Sequence, residues 1–203
     1  MIAIIDYGLG NLASVKYALD RLKVESSLTS DRLAIASADG VILPGVGAFG
    51  RAMEQLGQLD LAEATRATAL SGRPFLGICL GLQLLLAHSE EHGNQQGLGV
   101  IPGRVVRFGR DLTVPHMGWN EVRQDRPSPL FEGIDDESFF YFAHSYYVEP
   151  DDPVVMVASS EYGGQFASVI QRAALFGAQF HPEKSGPVGL KMLANFCKLC
   201  DGG

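Results

Sequence analysis

Two short stretches of this chain hold side chains suited to nucleophilic chemistry. Gly77-Ile78-Cys79-Leu80-Gly81 offers a thiol between two glycines, and His181-Pro182-Glu183 offers an imidazole with a carboxylate two residues on. A thiolate attacks an electrophilic carbon and an imidazole moves the protons. A carboxylate on one ring nitrogen sets the tautomer so that the other nitrogen faces the thiol. Each part also has a plainer role. Cys79 fits a small buried thiol in a glycine turn, His181 a strand-end or helix-capping histidine, and Glu183 a first-turn acid complementing a helix dipole. The triad accounts for all three together.

The neighbouring sequence supplies elements that would position these groups. Arg73-Pro74-Phe75-Leu76 reads as a short buried strand and Leu82 to Ala87 as a buried helix, so Cys79 falls on the strand, sharp turn and helix of a nucleophile elbow. The flanking glycines leave room for backbones that approach closely. At a helix N-terminus the free amides and the macrodipole favour thiolate. Phe176 to Phe180 alternates as a strand, His181 emerges at its end, and Pro182 stops the ladder.

Upstream, Ile2 to Ile5 reads as a buried strand, and Leu12, Val15, Leu19 and Leu22 mark a helix. Gly40 to Leu43 is a second strand, and Ala48 to Leu70 is helical in one or two pieces, broken near Gly57. This β, α, β order predicts a single α/β domain over residues 1–203, with a mostly parallel sheet, helices on both faces and ligands at the carboxyl ends of the strands. Asn11, Gly45 to Gly47, Cys79 and His181 all lie at such ends. Val100 to Ile170 has short strands, prolines and glycines, and reads as antiparallel additions at one side of the sheet.

An attacked amide develops a negative oxygen that needs donors. The Pro44-Gly45-Val46-Gly47 turn presents N–H groups at Gly45 and Val46 without side-chain obstruction, and the Leu80 N–H is the donor beside the nucleophile. The same turn also fits a plain strand-to-helix connection.

With these parts in place the chain resembles the class I, or triad, glutamine amidotransferases, which have a flavodoxin-like fold. Asp6-Tyr7-Gly8-Leu9-Gly10-Asn11, Pro44-Gly45-Val46-Gly47-Ala48-Phe49, Pro115-His116-Met117-Gly118-Trp119-Asn120 and Tyr141-Phe142-Ala143-His144-Ser145-Tyr146 are similar, in this order, to the glutaminase subunits of imidazole glycerol phosphate synthases in histidine biosynthesis. The resemblance spans essentially the whole chain. It implies L-glutamine as substrate, with Gly47 at the pocket, Gln83 beside the thiol, Glu91 on the substrate ammonium, and Ser145 and Tyr146 on its carboxylate. Without it, Gln83 reads as a helix-surface amide and Glu91 as half of a solvated Glu90-Glu91 pair. It also implies that the peptide around Val46 reorients to complete the oxyanion hole, so that basal activity is low.

Asn11, Trp119, Tyr141 and Lys184 match family positions facing a cyclase (β/α)8 barrel, the partner in a heterodimer through which ammonia passes; there Lys184 pairs with an acid. Their plainer roles are helix N-cap, core, sheet surface and helix surface. No metal or organic cofactor is implied. Two relatives in chemistry stay open on the motifs alone: an amidotransferase serving another synthase, such as an amidino-sugar type, and a stand-alone cysteine hydrolase of γ-glutamyl compounds.

Composition agrees with a small substrate. The 203 residues are 46% hydrophobic, enough for one core, and the net charge of −7 argues against nucleic-acid or anionic-membrane surfaces. Ile2 to Ile5 lacks a basic flank and stops at Asp6, so neither a secretory nor a membrane-spanning segment is expected, and the expected compartment is the cytoplasm. Three cysteines, with a free thiol needed for chemistry, fit a reducing compartment. Cys197 and Cys200 fall on one face of a C-terminal helical pattern and read as packing. Gly8-Leu9-Gly10-Asn11-Leu12-Ala13 matches the dinucleotide fingerprint G-x-G-x-x-A, with Glu25 or Asp31 as the ribose acid. That alternative leaves Cys79 and His181-Pro182-Glu183 unexplained.

Overall fold

Apolar runs without alternation are what strands covered on both faces require, and four of them form the middle of the molecule. The computed structural model describes residues Met1–Asp201. Its first half comprises β1 (Ile2–Ile5), α1 (Leu12–Arg21), β2 (Ser26–Thr29), α2 (Arg32–Ser37), β3 (Gly40–Gly45), α3 (Phe49–Gln58), α4 (Ala62–Leu70), β4 (Phe75–Cys79) and α5 (Leu80–Leu84). There follow β5 (Leu86–Ser89), β6 (Gln95–Gln96), β7 (Ile101–Arg107), β8 (His116–Gln124), β9 (Ser138–His144), β10 (Tyr146–Pro150), β11 (Met156–Glu161), β12 (Gln165–Arg172), β13 (Leu175–Ala178) and α6 (Gly186–Asp201). Every residue of β1, β3, β4 and β13 is buried.

Among the described residues the main sheet has nine strands in the order β2-β1-β3-β4-β13-β12-β11-β8-β9. The pairings from β2 to β13 are parallel and those from β13 to β9 antiparallel. The period of two along β1 divides the core: Ile2 and Ile4 pack with Val15 and Leu19 of α1 and Met192 and Phe196 of α6, whereas Ala3 and Ile5 face Ile35 of α2 and Ala52 and Leu56 of α3. Helices therefore cover both faces, and the α/β expectation holds. No helix among the described residues is long and apolar enough to cross a membrane.

Four local expectations shift. The elbow strand begins at Phe75 and runs through Cys79, because Gly77 and Ile78 carry ladder positions opposite both β3 and β13. The helix expected over Leu82 to Ala87 is α5, which ends at Leu84; Leu86 opens β5 instead. A continuous apolar run suits a buried helix and a buried strand alike. Here the Leu85 carbonyl accepts from the N–H groups of both Val100 and Ile101, which turns the chain into a second sheet. The helical break falls at Leu59 to Leu61, where Asp60 is left-handed at φ 55°, and Gly57 stays inside α3.

Finally, the antiparallel region divides. β8, β9, β11 and β12 extend the main sheet, while β7 and β10 join β5 and β6 in a second sheet of order β10-β7-β5-β6. Ser145 alone separates β9 of the main sheet from β10 of the second.

Gly81 shows how tightly the elbow is packed. A Cβ there would run into the Leu43 carbonyl of β3, a backbone atom that cannot move aside without disturbing the sheet. Gly81→Ala is expected to lower stability by about 3 kcal/mol, an overpacking cost, measured as a fall in urea midpoint at unchanged m-value.

Candidate active site

Cys79 is the last residue of β4 and the cap of α5, with φ 52° and ψ −109°. A side chain in that sparsely populated region costs about 1–3 kcal/mol and persists only where surrounding packing fixes it. The thiol is buried. Its Sγ lies 3.9 Å from the Ala143 carbonyl of β9 and 3.7 Å from Nε2 of Gln179, close enough to the His181 imidazole to act on its proton.

His181 follows β13 and is fixed by its own backbone. Its N–H donates to the Tyr141 carbonyl at 2.9 Å, and its carbonyl accepts from Ser185 Oγ at 2.6 Å. Ser185 Oγ accepts in turn from the Tyr141 N–H at 3.0 Å. Pro182 to Lys184 form a 3₁₀ turn that swings Glu183 back under the ring. Glu183 Oε1 lies 2.8 Å from His181 Nδ1, with the two side chains 1% and 3% exposed, so water screens this contact little. Burial opposes charge on the imidazole, but the thiol and then the Glu183 carboxylate outweigh it and raise the ring from 6.5 to about 10.

Gly45 stands opposite Cys79 in the parallel register of β3 and β4, which brings the glycine turn beside the thiol. A Cβ on Gly45 would lie 2.5 Å from the Tyr7 hydroxyl and 2.9 Å from Leu80 Cβ. Beyond it Val46 is 39% exposed and Gly47 has φ 99°. Leu80, the first residue of α5, directly follows the thiol.

Cys79 opens onto a cleft of about 230 Å³. Val46, Gly47 and Leu80 line it with the thiol, and Gln83, Glu91, Ser145 and Tyr146 line it too, so the expected glutamine-pocket positions converge there. Gln83 is buried, not a helix-surface amide; its Nε2 donates to the Tyr146 carbonyl at 2.9 Å and to Gln179 Oε1 at 3.2 Å. Glu91 turns inward and accepts from the Phe49 N–H at 2.6 Å, supporting the start of α3, while Glu90 faces Arg104 at 3.5 Å.

Two residues escaped the sequence reading of the site. Gln179 bridges the thiol and Gln83; the alternation expected over Phe176 to Phe180 gives little hint of it, because β13 ends at Ala178 and every residue from Leu175 to Phe180 is buried. Tyr7 donates to the Pro44 carbonyl at 2.9 Å and anchors the base of the glycine turn, and burial holds its phenol above the ordinary range.

The four positions matched to a partner surface lie on α1, β8, β9 and the turn after His181, and that turn touches both α1 and β9. Asn11 occupies the N-cap position of α1, but its side chain makes no capping bond, so the plainer role assigned to it is not fulfilled. Trp119 is 55% exposed and is not core; its ring meets half-buried Tyr141 edge-on at 6.1 Å. Lys184 is exposed on the 3₁₀ turn that packs against α1. Exposed Met117 and Phe139 extend the apolar face of β8 and β9, and Met117 reaches the cleft.

The model for "Glutamine amidotransferase class-I" matches residues 3–200. The chain belongs to this family. Among curated amidotransferase relatives, imidazole glycerol phosphate synthase subunit HisH of Moorella thermoacetica is 55% identical over 198 residues, covering 98% of this chain and 94% of that protein. The subunit of the same name from Syntrophotalea carbinolica is 50% identical, with 97% and 98% covered. In solved structures, a chain of PurLQS from Thermotoga maritima aligns with a TM-score of 0.75 at 18% identity, with 97% of each chain covered, a likeness of fold. The amidotransferase family accounts for the glycine loop after β1 without a dinucleotide: Asp31, offered as a ribose acid, accepts from the Leu33 N–H and caps α2. Burial pushes the Cys197 and Cys200 thiols up to about 12, in keeping with packing on α6.

The raised His181 sets a pH dependence. The folded chain holds this proton more tightly than the unfolded one, so the linked stabilisation is complete below about pH 6.5 and is lost as pH rises through about 10. Glu183→Gln removes a group that raises the ring. Its imidazole resonances are expected to titrate at lower pH than the wild-type resonances, measured by NMR from pH 5 to 10.5.

Proposed function

We propose that this chain, acting as one amidotransferase domain over residues 1–203, is the glutaminase subunit of an imidazole glycerol phosphate synthase. It hydrolyses L-glutamine to glutamate and ammonia in the cytoplasm and supplies the ammonia to a cyclase (β/α)8-barrel partner in a heterodimer of histidine biosynthesis. The observation that carries this is the meeting of Cys79, His181 and Glu183 beside one cleft, in a chain 55% identical to a HisH subunit along nearly its whole length.

In this reaction the Cys79 thiolate attacks the side-chain amide carbon of glutamine. The developing oxyanion takes N–H donors from Leu80 and the Gly45-Val46 turn. The C–N bond breaks as the His181 imidazolium protonates the leaving nitrogen, which gives ammonia and a glutamyl thioester. His181 then takes a proton from water, hydroxide adds to the thioester, and the C–S bond breaks to return the thiolate and release glutamate. Glu183 holds the ring in the required tautomer and offsets its charge throughout. Gly47, Gln83, Glu91, Ser145 and Tyr146 orient the substrate, with Glu91 opposite its ammonium.

Ammonia released into water becomes unreactive ammonium, which favours direct transfer to a second active site. The exposed apolar side chains of Met117, Trp119 and Phe139 on β8 and β9, with Tyr141 against Trp119 and Met117 at the cleft, support a docking surface.

The test is glutamate release by the purified chain, alone and with a cyclase barrel subunit carrying its ribotide ligand. A low rate that rises strongly in the complex is expected; no rise with a competent thiol points to another synthase or a stand-alone hydrolase. Cys79→Ala is expected to lower the rate at least ~10⁴-fold with partner affinity unchanged. Lys184→Ala is expected to weaken partner binding about 3–10-fold while Cys79 alkylates at the wild-type rate.

A further inference from the structure

His116 and His144 are both buried, lie outside the triad, and sit among Phe108, Phe142, Tyr162 and Phe166. Polar rings in such surroundings are tolerated only when their nitrogens are satisfied. Here the partners of the two rings also fix where every proton must be.

At the outer end, Asn120 Nδ2 donates to the Glu161 carbonyl at 3.0 Å and Asn120 Oδ1 accepts from the Glu121 N–H at 2.8 Å. The amide can therefore point only one way, and its Nδ2 also faces His116 Nε2 at 3.3 Å. His116 Nε2 is thus an acceptor, and the proton of the neutral ring is on Nδ1. That Nδ1 lies 3.1 Å from His144 Nε2 and donates to it. The proton of His144 is then on its own Nδ1, 2.8 Å from the Tyr146 carbonyl, which can only accept. Burial keeps the His144 ring neutral across the physiological range, lowering it to about 3.

The inner end is the cleft wall. The Tyr146 carbonyl also takes the Gln83 amide, at 2.9 Å, so its two lone pairs are occupied by two side chains. One is His144 of the histidine chain and the other is Gln83, and both line the pocket.

We propose that His116 and His144 are positioning residues for glutamine: a one-way hydrogen-bond chain from Asn120 to the Tyr146 carbonyl that fixes the Ser145-Tyr146 and Gln83 wall of the cleft. It rests on the glutaminase assignment above. The pair does not touch the reacting atoms, so its loss acts on substrate binding ahead of chemistry.

The test compares His116→Phe, which keeps a ring but leaves His144 Nε2 without a donor, with His116→Asn, whose amide nitrogen replaces the Nδ1 donor. Both are assayed as the complex with the cyclase subunit. His116→Phe is expected to raise the KM for glutamine about tenfold with kcat within about twofold, and His116→Asn to stay within about threefold of wild type. An unmoved KM in folded His116→Phe overturns the proposal, as does His116→Asn performing no better at equal thermal stability. A wild type that releases no glutamate overturns this proposal and the glutaminase assignment together; an active wild type with unmoved variants overturns this proposal alone. Should His116→Phe fail to fold, long-range ¹H–¹⁵N spectra of the wild type at pH 7 decide. Both rings are expected to carry the proton on Nδ1, and either ring protonated on Nε2 overturns the chain.

Discussion

The left-handed backbone at Cys79 is the constraint on which the other parts of the site depend. A cysteine accepts φ 52° only if the strand before it and the helix after it are both held. β4 is held by ladders on both sides, to β3 and β13, and α5 is packed down so closely that residue 81 has no room for a Cβ. The same two neighbours of β4 bring the remaining machinery. β3 ends in the glycine turn opposite the thiol, and β13 leads to His181. The flanking strands that hold the strained residue are thus also the ones that deliver its partners.

Much of this was legible because the chemistry is carried by short-range patterns. The Gly77 to Gly81 elbow, the proline after His181 and the unalternating strands are local signals, and each has a backbone reason behind it. Boundaries were less legible, since Leu82 to Ala87 is equally apolar as helix or strand, and only the distant carbonyl acceptor at Leu85 divides it. Side-chain destinations were least legible. Glu90 and Glu91 are identical in type and adjacent, yet one faces Arg104 and the other the Phe49 N–H at the cleft, partners distant in sequence that neither residue announces. Tyr7 and Gln179 act through long-range contacts that leave no periodicity to read. The family resemblance supplied roles for Glu91, Ser145 and Tyr146 that residue types alone did not.

The electrostatic design separates the histidines by surroundings. His181, buried against a thiol and a carboxylate, favours the proton; His144, buried among aromatic rings and facing another imidazole, resists it. One burial cost is overcome by charge and the other is met by remaining neutral, so of these two rings the one beside the thiol is the one that takes a proton readily.

Ser145 lies where the chain leaves one sheet for the other, and this has a mechanical consequence. Cys79 and the approach to His181 belong to the main sheet; Tyr146 belongs to the smaller one, and Glu91 follows its strand β5. The cleft is therefore a gap between two plates, each internally stiffened by its own rungs. Gln83 on α5 reaches the Tyr146 carbonyl of the smaller sheet and ties the first-half elements to it. The residues that line the cleft are thus carried on two separate ladders, with Ser145 at the point where the chain passes from one to the other.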